Sequence, residues 1–185
     1  MRHNYIFGGP DRSGKTTIAK ALSQLTGAQY YKAANQRQFW TEERDNFKLL
    51  LEYHGPSMID FLENVGLPGG LIFDRFTPCE FAYSRAYGRE TNRDVIFNID
   101  KRLAAMGYVF VYCWKDDYVD WDDDLIEESM IGKLMSGYDA YASKSKMHTI
   151  FLNTTDQKLD TQLLQIMKGR LDYEDSLRYP AINPQ

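Results

Sequence analysis

Eight consecutive residues, Gly9-Pro10-Asp11-Arg12-Ser13-Gly14-Lys15-Thr16, constrain this chain more than anything else in it. They fill the pattern G-x-x-x-x-G-K-[ST] at every position. They also lie between a short apolar run, Tyr5-Ile6-Phe7, and a segment whose Ile18, Ala21, Leu22 and Leu25 recur at helical spacing until Thr26-Gly27. A strand that feeds such a loop into a helix is an anion cradle. The glycines let successive backbone N–H groups turn inward on a phosphate, and the helix adds its positive N-terminal end. The ligand this predicts is ATP, cradled by Gly9, Ser13, Gly14, Thr16 and Thr17, with Lys15 reaching the β- and γ-phosphates and the Thr16 hydroxyl on Mg2+.

Downstream, strand and helix signals alternate. Ala28 to Ala33 reads as a second strand, and a polar loop leads to an amphipathic helix carrying Phe47, Leu50 and Leu51, which Gly55-Pro56 is expected to break. The next helix turns Met58, Phe61, Leu62 and Val65 to one face. Leu71-Ile72-Phe73-Asp74 is an unalternated apolar run ending in an acid, as suits a parallel sheet covered on both sides. Val95, Ile99, Leu103 and Met106 mark a further helix, Tyr108 to Trp114 a strand, and the stretch after the acidic run Asp116 to Asp124 a long helix to about Ser143. His148 to Leu152 is a fifth strand, and Leu159, Leu163, Ile166 and Met167 belong to a last helix. The expected fold is α/β, a three-layer doubly wound sheet of five parallel strands. It forms one domain over residues 1–178, with a short lid near 116–128 and a loosely attached tail at 179–185.

Composition agrees with one core and narrows the partners. The chain has 185 residues, 43% of them hydrophobic, and a net charge of −4, so it lacks the cationic field that a nucleic-acid or anionic-lipid partner needs. No apolar run approaches the roughly 18 residues of a membrane helix, and the N-terminus has no signal-type segment, which makes a cytoplasmic location the expectation. Cys79, in a loop-like stretch, and Cys113, in a strand, are too few for a metal cluster. The acidic run lacks the central glycine and final glutamate of a calcium loop and suits a solvated helix start. A small-molecule nucleotide is the expected partner, and a homodimer is compatible with the sequence.

In a doubly wound sheet ligands sit beyond the carboxyl ends of the strands, so Asp74-Arg75 opens onto the same crevice as the loop. Asp74 can hold Mg2+ through water, or cap a turn; Arg75 can grip an acceptor phosphate, or form a surface ion pair. Arg12 lies close to where a phosphoryl group would transfer, where a guanidinium can neutralise equatorial oxygens, unless it is merely solvated. Asp11 is unusual in an anion site unless it faces an acceptor hydroxyl or a metal-bound water.

The loop Pro-Asp-Arg-Ser-Gly-Lys-Thr-Thr, followed by apolar-Asp-Arg-aromatic and then Phe81-Ala82-Tyr83-Ser84, resembles the thymidylate kinase family. It resembles in particular the type that carries its catalytic arginine in the phosphate loop, since Arg12 is present and Tyr118 to Glu128 contains no lysine or arginine. The resemblance implies transfer of the γ-phosphate of Mg·ATP to a deoxynucleoside monophosphate, dTMP or a related pyrimidine deoxynucleotide. It also implies that Asp11 meets the acceptor's sugar hydroxyl, Arg75 its phosphate, Lys15 and Arg12 the transferring group, and the loop from Asn153 and Thr154 to Asp156 the adenine through its backbone. The chain departs from the family at His54, where an arginine is usual, and at Arg37, a loose echo of an arginine-bearing motif after the second strand. Phe76 belongs to an aromatic group around the acceptor pocket, with Phe39, Trp40, Phe47, Phe81, Tyr83 and Tyr87, and Trp121 either covers the deoxyribose from the lid or packs in the core.

Two other functions compete. A kinase acting on a hydroxyl, of a deoxynucleoside or of a hydroxymethylated base in DNA, would use Asp74 as base. A GTPase would need glycine and lysine where this chain has Asp74-Arg75-Phe76-Thr77 and Asn153-Thr154-Thr155-Asp156, so that class is set aside.

Overall fold

The computed structural model describes residues 2–32, 45–118 and 128–178. Arg37, Phe39, Trp40, Trp121, most of the expected lid and the tail lie outside the described residues, as do the side chains of Phe47, Leu50 and Leu51. Five strands form the sheet: β1 (Tyr5–Gly8), β2 (Gln29–Lys32), β3 (Leu71–Asp74), β4 (Val109–Trp114) and β5 (His148–Asn153). Among the described residues six helices accompany them: α1 (Lys15–Thr26), α2 (Asp45–Val65), α3 (Thr77–Ala86), α4 (Arg93–Ala105), α5 (Ile131–Ala142) and α6 (Leu159–Arg178). The strand order is β2-β3-β1-β4-β5 with every pairing parallel, the doubly wound arrangement expected from the sequence.

Side chains alternate across a strand, so a strand covered on both faces must be apolar throughout. β1 meets that condition at the centre of the sheet: Tyr5, Ile6 and Phe7 are all fully buried. Tyr5 and Phe7 join Ile18, Leu22, Val111 and Ile166 on the face covered by α1 and α6. Ile6 joins Phe73, Phe110, Ile59, Ile99 and Tyr138 on the face covered by α2 to α5.

Four local expectations need correction. Gly55-Pro56 does not break α2, which runs unbroken with Pro56 inside it. Proline removes one N–H from the helical ladder, and near it the Ser57 hydroxyl donates to the Tyr53 carbonyl at 2.9 Å. The buried stripe of α2 is Gly55, Ile59 and Leu62, while Phe61 and Val65 are exposed. Cys79 is helical, because Pro78 in the first turn of α3 starts the helix there, and both cysteines are buried free thiols. The long helix expected up to Ser143 is, among the described residues, a short 3-10 turn (Glu128–Met130) followed by α5.

One glycine sets the position of the acceptor-side helix. A Cβ on Gly137 of α5 would lie 2.8 Å from the Cα of Ala82 in α3, so only glycine permits this close crossing. Among the described residues no helix is long and apolar enough to cross a membrane.

Candidate active site

The loop between β1 and α1 runs along the carboxyl edge of the sheet. Gly9 adopts φ 140°, and a Cβ there would lie 1.9 Å from the carbonyl oxygen of Cys113, so the loop leaves β1 tight against β4. Three donors converge on the Pro10 carbonyl: the Ser13 amide at 3.4 Å, the Ser13 hydroxyl at 2.8 Å and the Lys15 ammonium. Lys15 also lies 3.3 Å from the Ser13 hydroxyl. Its side chain is buried, and that burial pushes its pKa down from the ordinary lysine value. A buried ammonium held by a neutral carbonyl and a hydroxyl is well suited to an anionic ligand that restores its charge balance. Arg12 stands exposed in the left-handed conformation at φ 60°, and Thr17 is exposed on the first turn of α1.

Asp74 ends β3 fully buried, one strand away from the loop. Its Oδ2 accepts from the Thr16 hydroxyl at 2.6 Å and from the Tyr30 hydroxyl at 2.7 Å. Its Oδ1 is equally buried and has no hydrogen-bond partner among the described residues. Buried carboxylate oxygens are normally satisfied. An unsatisfied one beside a phosphate-loop threonine fits a hydrated divalent cation, for which oxygen donors are the right chemistry.

The next residue turns to the other side of the loop. Arg75 has φ 71°, a backbone strained for a residue with a Cβ, and its amide donates to the Phe7 carbonyl at 3.0 Å, which locks the turn onto β1. The Arg75 guanidinium forms an ion pair with Asp11. Tyr83 of α3 donates its hydroxyl to the other Asp11 oxygen at 2.7 Å, and its ring lies beneath the guanidinium at 5.9 Å. Phe76 stacks on Phe73 at 4.7 Å, and Tyr83 stacks on Tyr87 at 6.2 Å, whereas Phe81 packs in the core against Phe97 and Tyr141. His54 is exposed within α2.

At the end of β5 the side chains of the Asn153 loop are committed to holding it. Asn153 donates to Asp116 at 2.5 Å and accepts from the Thr155 amide at 2.9 Å, and Thr154 bonds the Trp114 carbonyl through both its amide and its hydroxyl. Base contact by this loop would therefore fall to its backbone.

The structure thus brings Asp11, Lys15, Thr16, Asp74 and Arg75 to one crevice. Sequence reasoning missed Tyr30 as a partner of Asp74, and it named Tyr83 only as one of several aromatics. The signal for Tyr30 was its place two residues before the end of β2, beside β3.

No protein-family model and no curated protein matches the sequence. Solved structures do match over nearly the whole chain. The YorR protein of Bacillus subtilis, in complex with phosphorylated GDP, is 20% identical, with a TM-score of 0.65 over 95% of this chain and 97% of its own. The thymidylate kinase of Candida albicans is 16% identical, with a TM-score of 0.63 over 94% and 93%. The fold is that of the P-loop nucleotide kinases. Deoxyadenosine kinase from M. mycoides, with dCMP and dCDP bound, shares it at 16% identity and a TM-score of 0.58 over 92% and 99%. The two kinases differ in the acceptor their names specify, and the likeness is one of architecture.

Proposed function

We propose that the chain transfers the γ-phosphoryl group of Mg·ATP to the phosphate of a deoxynucleoside monophosphate, dTMP or a related pyrimidine deoxynucleotide, in the cytoplasm. One observation carries the reading. The adjacent residues Asp74 and Arg75 both clasp the phosphate loop, Asp74 at Thr16 and Arg75 at Asp11, so a single strand end serves donor and acceptor sides together.

In this reading Lys15 leaves the Pro10 carbonyl for the β- and γ-phosphates, and Arg12 neutralises the transferring group. Thr16 and Asp74 would hold Mg2+, which when bound supplies charge neutralisation at the phosphates. Arg75 holds the acceptor phosphate by paired charge-assisted hydrogen bonds, and Asp11 orients the acceptor's sugar hydroxyl while Tyr83 steadies its carboxylate. A phosphate acceptor is already anionic at neutral pH and needs no base, so catalysis consists of positioning and charge neutralisation.

An ATP-consumption assay against deoxynucleoside monophosphates, free deoxynucleosides and short DNA tests the reading. Turnover confined to one or two monophosphates is the expected outcome and names the base. Turnover only with nucleosides or DNA would overturn it.

A further inference from the structure

Asp74 has two hydroxyl partners, and only one of them belongs to the phosphate loop. The other, Tyr30, comes from β2, the strand beside β3, and it is half-buried with its hydroxyl 2.7 Å from Asp74 Oδ2. Its ring is fixed from above by α1, where Lys20 holds its ammonium 5.8 Å from the ring centroid, one helical turn beyond Thr16. Thr16 and Tyr30 therefore approach the same carboxylate oxygen from two separate elements. Their convergence leaves Oδ1 as the oxygen without a donor among the described residues. A threonine hydroxyl has one proton, and if Thr16 also serves as a metal ligand its position moves with the loop. Tyr30 has no such second duty, and its ring is held by the sheet and α1.

We infer that Tyr30 is a positioning residue for Asp74: it anchors Oδ2 so that Oδ1 stays available to a hydrated divalent cation bound with the nucleotide. The inference rests on the proposed role of Thr16 and Asp74 as the metal-holding pair. Groups that orient a metal-site carboxylate typically contribute about 10- to 100-fold to metal affinity. The phenylalanine variant keeps the ring and removes only the hydroxyl.

The test is calorimetric titration of ADP into wild type, Tyr30→Phe and Asp74→Asn, each with excess EDTA and with Mg2+, so that the ratio of affinities reports the metal directly. For Tyr30→Phe we expect unchanged affinity in EDTA, a gain from Mg2+ at least about 10-fold smaller than in wild type, and a matching rise in the free Mg2+ needed for half-maximal kcat. Asp74→Asn should lose the gain. If Tyr30→Phe retains the wild-type gain while Asp74→Asn loses it, the inference is wrong and the metal pair stands. Equal weakening with and without Mg2+ would make Tyr30 a packing residue and also overturn it. If Asp74→Asn keeps the full gain, the metal pair itself is wrong and the inference goes with it.

Discussion

Two aspartates lie in one crevice, and their partners differ in charge. Asp74 is fully buried and held by two neutral hydroxyls, whereas Asp11 is held by the Arg75 guanidinium with a third hydroxyl, from Tyr83, on its other oxygen. A carboxylate satisfied by hydroxyls keeps its whole negative charge for a cation. One paired with arginine has its charge balanced internally, and that arginine must change partners before it can grip a phosphate. In the proposed reading, Asp74 can therefore take up a cation without giving up an ion pair, whereas the Asp11–Arg75 pair has to open before Arg75 can take a phosphate.

That contrast can be broken by substitution. The largest effects belong on the donor side: Lys15→Ala and Arg12→Ala should each lower kcat by about 10^3-fold or more with the fold intact, measured at saturating substrates. A near-normal kcat for Arg12→Ala would remove the loop arginine from the chemistry. Next comes Gly9→Ala, whose new Cβ meets the Cys113 carbonyl at a backbone angle that disfavours any side chain. It should lose about 3 kcal/mol, or roughly 10 °C in Tm, and weaken ATP in parallel. Arg75→Ala should cut kcat/KM for the acceptor about 100-fold and leave ADP affinity alone, since charged hydrogen bonds contribute about 1.5–3 kcal/mol. The smallest change is Tyr83→Phe, which should lower acceptor kcat/KM about 5-fold, equivalent to about 1 kcal/mol. Any effect of that variant on the Mg2+-dependent gain in ADP affinity would mean that the two carboxylates are not independent.

The parts of the site legible in the sequence are those whose chemistry is contiguous. Gly9 to Thr16 supplies its own geometry along the backbone, and Asp74-Arg75 is marked by the end of an apolar run. Tyr30 and Tyr83 reach their carboxylates through sheet register and helix placement, 44 and 72 residues away in sequence, and no local pattern encodes that. The strands β1, β3 and β4 were legible because buried parallel strands carry unbroken apolar runs. The helix around Pro56 was not, since a proline is judged locally as a breaker, whereas the packing of Ile59 and Leu62 into the core favours one continuous helix. The same packing decided which face of α2 is buried, and Phe61 and Val65 lost to Ile59.

The central place of β1 bears on how the chain reaches this structure. The first strand in the sequence is hydrogen-bonded on both sides to later ones, with Phe7 in register with Asp74 on one flank and Val111 on the other. On a ribosome, Tyr5-Ile6-Phe7 emerges with neither neighbour made, and the sheet cannot close around it until β4 has been synthesised. Such distant pairings carry a loop-closure entropy that must be met before any contact rewards it, so refolding should be slow for a domain of this size. The phosphate loop, anchored between β1 and β4 through Gly9 and Cys113, would then be among the last features to acquire its shape.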